Sequence, residues 1–591
     1  MPVPRSVPPT AVTAPPAAGA GPRAARTVPA AAGTPARQPA RAGRPVAASP
    51  LAGLVAASPS APSRRGVLLG AGAAAVLTGS LVGGAQAPRA LAAAGSRPGD
   101  PFTLGVASGD PSPDGVVLWT RLATDPLAED GRGGMPERGV NVRWQVARDE
   151  RFRRLERIGT TTARPELGHS VHVELTGLEP GREYFYRFQS LGRLSPVGRT
   201  RTAPAVGSSP ASLTMAFASC AQYEHGYFTA YRRLAEEEPE LVLHLGDYIY
   251  EYRADSYVAP GGNVRDHAGP ETTTLAGYRQ RHSQYKADPD LQAAHAVAPW
   301  AVVWDDHEVD NNWADEVPES LERDPLPGFL DRRAAAFQAY YENMPLRSTS
   351  VPRGLDMQLY RRLDWGRLAA FHMLDTRQYR DDQACGDGTD VGCEERLDPA
   401  RSLPGHEQER WLLDGLADSP ATWDVLGQQV FFAPRDFAEG PERRLSMDGW
   451  DGYTASRSRL LEGFAERGVR NPVVLTGDVH RHYACDVHPD APGGEGVPDL
   501  SRAPVATELV TTSISTGGDG SDTSAGTDLQ LVENPHIRFA SSQRGYVLTR
   551  LEAGQVRADF KVLPAVQEPG APVSTRASFV VEEGRPGLHR V

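Results

Sequence analysis

The sequence predicts a small all-β domain followed by a larger α/β domain whose sheet is covered by helices on both faces. Three observations lead there. Between about Pro98 and Ala205, short segments alternate apolar and polar residues and are punctuated by Gly, Pro and Asp. From about Ser209 the pattern changes to apolar runs separated by helix-like stretches. Those apolar runs are followed, one after another, by Cys, Asp and His rather than by ordinary loop residues. A chain of 591 residues is too long for one ordinary domain, and two or three are expected.

Residues 1–60 are Pro, Ala and Arg with almost no large apolar side chains. They cannot bury enough surface to offset the entropy of ordering, so a disordered leader is expected. Residues 61–95 read as a twin-arginine export signal. Arg64 and Arg65 are adjacent, and an uncharged Ala- and Gly-rich stretch runs from Gly66 to Ala87. Small-residue sites follow at Ala85-Gln86-Ala87 and Ala90-Leu91-Ala92. A retained membrane anchor is the alternative, and the length nearly permits it; the glycines and cleavage-like sites favour removal. The expectation is a chain handled by the twin-arginine export machinery, secreted or extracytoplasmic. No stable membrane insertion of the mature chain is expected, because no other segment is apolar enough to span a bilayer. The net charge of −12 is spread along the chain and argues against a nucleic-acid-binding role.

Residues 96–205 hold the strand-like segments GVVLWTRL, VNVRWQVA, VHVELTGL and EYFYRFQS, which read as a β-sandwich of about 100 residues. The segment GLEPGREYFYRF resembles the corner of a fibronectin type III domain, where a tyrosine hydroxyl ties back to an upstream backbone group. No catalytic constellation lies here; the domain either shapes the neighbouring site or acts as a spacer. Of the four cysteines, Cys385 and Cys393 flank the short polar loop CGDGTDVGC and can pair outside the cytoplasm. Cys220 and Cys485 either form a second disulfide or, in the reading preferred for Cys220, supply a thiolate to a metal.

In residues 209–591 the apolar runs are LTMAFA (213–218), ELVLHL (240–245), PWAVVW (299–304), RLAAFHML (367–374), WDVLGQQVFF (423–432) and NPVVLT (471–476). Helices are expected around YFTAYRRLAEEEP, LDRRAAAFQAYYENM and SRLLEGFAERG. Strand-like runs after Glu533 should complete the sheet, and no clear amphipathic helix follows Val562. In α/β sheets, sites are built at the C-terminal edges of strands. Here those edges carry Ser219-Cys220, Gly246-Asp247 through Glu251, Trp304-Asp305-Asp306-His307-Glu308, Asp375-Thr376-Arg377 and Gly477-Asp478-Val479-His480-Arg481-His482. A structural protein can place polar residues after every strand, but this series is how several metal ions are held close together. Taken singly, GDYIY is an ordinary turn with packing tyrosines. GDVHRH is more specific: in an extended segment Asp478, His480 and His482 point to one side, because strand side chains alternate with period two. The stretch WDDHEVDNNW (304–313) sets a histidine and paired asparagines among carboxylates, which a merely solvated acidic loop does not need.

Together these stretches resemble the PhoD-like alkaline phosphatases. The resemblance rests on FASCAQ (217–222), GDYIYE (246–251), WDDHEVDNNW, LDTRQYR (374–380) and GDVHRHY (477–483), and it covers nearly the whole mature chain. More distantly, the set is similar to the purple acid phosphatase pattern. Cys220 stands where many metallophosphoesterases have their first Asp, Asp306 where they have Asn, and Gln428 and Gln429 where a VxxH motif would be. The fold implied is a metallophosphoesterase-type β-sandwich core flanked by helices, after the fibronectin III-like domain. The cofactors implied are one Fe3+ and two Ca2+. Iron would take Cys220, Asp247, Tyr250 and His482. Calcium would take oxygen ligands, with Asp247 bridging and Asp306, Asn312 and Asp478 as candidates. Thiolate and tyrosinate suit an oxidised transition metal, while carboxylate and amide oxygens suit calcium. His480 is left between metal and phosphate.

The activity implied is hydrolysis of phosphate mono- and diesters by a metal-activated oxygen nucleophile, in line with the leaving alcohol. Asp306, His307 and Arg377 are the catalytic candidates. His307 would contact phosphate or protonate the leaving group. Arg377 would either clamp a phosphate oxygen or form a structural ion pair with Asp375 or another core carboxylate. Asp305 and Glu308 would orient ligands. Two alternatives stand beside this: a phospholipase D-type phosphodiesterase on the same site, and a non-catalytic secreted binding protein using the fibronectin-like module.

Overall fold

Seven short, largely buried strands after Ser209 pair in parallel: β1 (Ser212–Ala218), β2 (Leu241–Leu245), β3 (Pro299–Val303), β4 (Ala369–Met373), β5 (Trp423–Gly427), β6 (Pro472–Thr476) and β7 (Ala506–Val510). The computed structural model describes residues 99–591 apart from 494 and 524; the leader and export-signal readings lie outside the described residues. Strands covered on both faces need no polar alternation, which is why the six sequence runs that hold β1 to β6 read as largely apolar; β7, with Thr507 and Glu508, does not and was not expected. In one sheet β1, β2 and β3 pair in parallel, with Leu241 opposite Met215 and Leu243 opposite Ala301. In a second sheet β4, β5, β6 and β7 do the same, with Phe371 opposite Val425 and Val473 opposite Thr507. Phe217, Leu243 and Val303 of the first sheet share one buried cluster with Phe371, Val425 and Leu475 of the second. All seven strands therefore deliver their C-terminal ends to one edge of a two-sheet core.

The strands expected after Glu533 complete the first sheet. Gly545–Glu552 pairs antiparallel with β1, and Gln555–Val562, Ser574–Glu582 and Arg585–Arg590 follow it to the edge. Among the described residues the last helix is Ala525–Glu533. The three expected helices form at Thr229–Glu236, Gly328–Asn343 and Thr454–Glu466. Four more among the described residues were not expected: Leu275–Lys286, Pro289–Val297, His406–Ala417 and Ala525–Glu533.

The segment before Ser209 is a sandwich, but one of its layers belongs to the large sheet. Val106–Ser112 pairs in parallel with β3, Ser108 lying opposite Pro299, and Gly115–Arg121 and Ser170–Leu175 extend the same sheet to ten strands. This covers the edge that β3 would otherwise expose to strand addition. The second layer is a separate five-stranded sheet; its Val142, Val146, Tyr184 and Phe188 pack with Val116, Leu118 and Val173. The Tyr184 hydroxyl accepts the Glu179 N–H at 2.9 Å, the upstream tie expected of the corner. Trp119 donates to the Glu342 carbonyl at 2.9 Å, fixing this segment to the helix Gly328–Asn343. A mere spacer would not share a sheet with its neighbour, so the spacer reading is corrected.

Candidate metal centre

The chain turns sharply where β1, β2 and β6 leave the sheet, and again in the loop after β3. Cys220, Asp247, Asn312, Asp478 and His480 all adopt left-handed backbone, with φ of 62°, 53°, 49°, 60° and 55°. Such residues cost on the order of 1–3 kcal/mol each and concentrate at functional sites. Gly246 is required where it stands: a Cβ there would lie 2.4 Å from the Asp305 Cβ. The tight turns aim polar side chains into one cavity of about 310 Å³, lined by Asp247, Tyr252, Ser256, Tyr257, Asp306, His307, Asn311, Asn312, Asp478 and His480. A larger cavity of about 570 Å³, between residues 349–360 and 404–408, holds none of these ligand types in a cluster among the described residues.

Three ligand groups overlap at this cavity. Cys220, Asp247 and His480 offer atoms within 4.8 Å of one another, and so do Asp247, Asp306 and His307, and Asp305, Asp306 and Asp478. Asp247 joins the first two groups and Asp306 the last two. Tyr250 belongs with the first: its hydroxyl donates to Asp247 Oδ2 at 2.7 Å and lies 3.2 Å from His480 Nε2. Burial pushes the Cys220 thiol up and lowers His480 to about 3, so the imidazole is neutral. Burial also raises the carboxyls of Asp247 and Asp305 well above their usual range and takes Asp478 to about 7. Asp247 Oδ1, Asp305 Oδ2 and Asp306 Oδ1 are buried without a hydrogen-bond partner. Unpaired buried carboxylates are costly unless paired or coordinated, and this donor set fits metal ions.

His482, expected as an iron ligand, is not part of this cluster. It is fully buried at the start of the strand His482–Val487; its Nδ1 accepts the Thr512 N–H at 3.1 Å and its Nε2 lies 3.3 Å from the Lys561 carbonyl. The alternation argument fails because Asp478 and His480 are left-handed rather than extended. His480, rather than His482, offers its ring nitrogen to the group with Cys220 and Asp247.

His307 reaches the cavity as expected. Its Nδ1 donates to Glu251 Oε2 at 2.8 Å, and its ring stacks on Tyr250 with centroids 4.1 Å apart. Burial opposes its charge, but the carboxylates of Asp306, Glu251 and Asp247 outweigh it and raise the imidazole well above its ordinary value. Glu308 ties the loops together. Its carboxylate accepts the N–H of Asp247 at 3.1 Å, that of Asp305 at 2.8 Å and that of Tyr248. The Asn312 N–H donates to Asp306 Oδ2 at 2.9 Å, while its Nδ2 donates to Asp387 at 2.7 Å.

Arg377 is fully buried and does not line the cavity. Its Nε donates to Asp305 at 2.5 Å and its two terminal nitrogens grip Asp448 at 2.7 and 2.9 Å. The phosphate-clamp reading is corrected: the guanidinium is enclosed by carboxylates. Its partner is not Asp375, which instead accepts the Arg377 backbone N–H at 3.1 Å. Asp448 itself was missed, since RLSMDGW carries no motif; it also accepts from Arg380 and Gln383, each at 2.8 Å. Tyr252 and Tyr257 were missed too, though the run of tyrosines after Asp247 was a signal for them. Cys385 and Cys393 are bonded, whereas Cys220 and Cys485 are free and buried, which removes the second-disulfide reading.

Residues 215–560 match the PhoD-like phosphatase family, and residues 86–204 match the PhoD-like phosphatase N-terminal domain. The chain is 53% identical over 491 residues to alkaline phosphatase D of Bacillus subtilis (strain 168), spanning 83% of this chain and 82% of that one. It superposes on a solved structure of PhoD with a TM-score of 0.80 and 52% identity, over 84% of this chain and 93% of that one. A purple acid phosphatase from yellow lupin (Lupinus luteus) seeds shares the fold at a TM-score of 0.50 and 12% identity, over 81% of this chain and 74% of the other.

Proposed function

We propose, from the premise that this chain belongs to the PhoD-like phosphatase family, that it is a secreted phosphatase hydrolysing phosphate mono- and diesters at a centre of one Fe3+ and two Ca2+. The chain is a phosphoric ester hydrolase, and phosphate esters are its substrates. The observation that carries the metal reading is the overlap of three ligand groups through Asp247 and Asp306, with unpartnered buried oxygens in both residues. Iron would be held by Cys220, Asp247, Tyr250 and His480, and calcium by Asp247, Asp306, Asn312 and Asp478. When bound, these ions would supply Lewis acidity toward phosphate oxygens and lower the pKa of water.

The chain's own residues do the rest. Glu308 fixes the turn that presents Asp247. Glu251 holds the Nδ1 proton of His307, which leaves Nε2 to meet a phosphate oxygen or donate to the leaving alkoxide at the cavity wall. Tyr252 and Tyr257 line the same cavity. Arg377 positions Asp305 rather than touching substrate. Secretion is supported by the Cys385–Cys393 disulfide, which suits an oxidising compartment. No helix among the described residues is long and apolar enough to cross a membrane.

The test is hydrolysis of p-nitrophenyl phosphate, bis-p-nitrophenyl phosphate and phosphatidylcholine, before and after chelation. Turnover of the first two, lost with chelator and restored by calcium, is expected. Phosphatidylcholine turnover with little monoester activity would shift the reading to a phospholipase D-type enzyme. Undiminished activity in metal-free protein would overturn it.

A further inference from the structure

Beside the catalytic cavity lies a second set of carboxylates. Glu224, Asp255 and Asp266 each offer an oxygen within 4.8 Å of the others. Glu224 is fully buried, whereas Asp255 and Asp266 are exposed. Glu224 Oε1 accepts the Asp255 N–H at 3.1 Å, but Oε2 makes no hydrogen bond. His267 Nδ1 is 3.3 Å from that oxygen, yet it commits its proton to the Tyr252 carbonyl at 2.9 Å. Its Nε2 lies 3.0 Å from the Tyr285 hydroxyl.

Nearby guanidinium groups are committed elsewhere. Arg265 binds Asp288 at 2.7 Å and the Tyr223 carbonyl at 2.8 Å; Arg281 binds the carbonyls of Tyr250 and Tyr252. Among the described residues no arginine or lysine forms an ion pair with Glu224, Asp255 or Asp266. The contrast is Glu271, Asp310 and Asp324, an equally tight group whose three carboxylates all pair with Arg332, at 3.2, 3.1 and 2.6 Å. That group has a cationic side chain among its carboxylates; the Glu224 group does not.

We propose that Glu224, Asp255 and Asp266 bind a hard divalent cation of the calcium type, outside the catalytic centre, and that this ion pins the segment 252–267. All three ligands are carboxylates, with no nitrogen or sulfur donor among them, which selects calcium over zinc or iron. Two of them sit on an exposed segment, which suits the flexible, partly hydrated coordination calcium accepts. The same segment carries Tyr252, Ser256 and Tyr257 into the catalytic cavity, so the cation would brace one wall of the site.

Calcium uptake by equilibrium dialysis tests this independently of the catalytic ions. In protein already carrying Asp306→Asn and Asp478→Asn, adding Asp255→Asn and Asp266→Asn should lower bound calcium by one equivalent. It should also abolish any calcium-dependent slowing of hydrogen exchange across residues 252–267. Asp266→Asn alone, at an exposed position, should weaken calcium binding about tenfold, since affinity follows the number of charged ligands. Equal uptake with and without the Asp255 and Asp266 substitutions, or unchanged affinity in the single variant, would overturn the proposal.

Discussion

At the scale of single residues, two histidines two positions apart have different fates. His480 lies with Cys220 and Asp247, whereas His482 accepts a backbone N–H on the other side of the turn. His480→Ala should therefore lose bound iron and cut turnover by at least about 100-fold. His482→Ala should keep its metal and instead lose about 1–3 kcal/mol of stability, because the Thr512 N–H is left buried and unpaired. Metal analysis and denaturant melts of the two variants check this; loss of iron from His482→Ala would reverse the assignment. Both histidines were legible as candidates, but the choice between them was not. It depends on a left-handed φ at Asp478 and His480, which residue spacing does not encode. Arg377 was ambiguous for a similar reason: its partner Asp448 lies 71 residues away, in a loop with no motif.

At the scale of elements, β1 to β6 were legible because a strand buried on both faces is largely apolar, whereas β7, with Thr507 and Glu508, was not. Nor was the helix Leu275–Lys286. Its sequence LAGYRQRHSQYK has no apolar stripe, yet most of it is buried. Several of its buried polar groups find partners there: Arg279 pairs with Glu342 at 2.6 Å, and Arg281 donates to backbone carbonyls. Periodicity detects apolar burial and misses burial satisfied by hydrogen bonds. The loop closed by Cys385–Cys393 shows how an element supports the site from outside it. Asp387, inside that loop, accepts from the Asn312 side chain at 2.7 Å. Replacing both cysteines by serine removes a short-loop crosslink expected to contribute about 2–3 kcal/mol. It should also raise the calcium concentration needed for half-maximal activity several-fold, because Asn312 loses its brace. An unchanged calcium requirement in the double variant would show that Asp387 does not orient Asn312.

At the scale of the whole molecule, two facing sheets bring seven strand ends to one edge, and four of those ends carry the candidate ligands Cys220, Asp247, Asp306 and Asp478. The architecture was legible from the order of apolar runs and the residues after them. That the N-terminal segment is built into the same ten-stranded sheet was not, because edge pairing between Val106–Ser112 and β3 leaves no mark on either sequence. Asp247 joins two ligand groups, and on the proposed function hydrolysis depends on it. Asp247→Asn, assayed with p-nitrophenyl phosphate and analysed for iron on the same preparation, tests that claim most directly. The predicted result is activity reduced by at least about 1,000-fold together with loss of bound iron, in a protein that still melts cooperatively. Full activity, or full iron content, in that variant would contradict it.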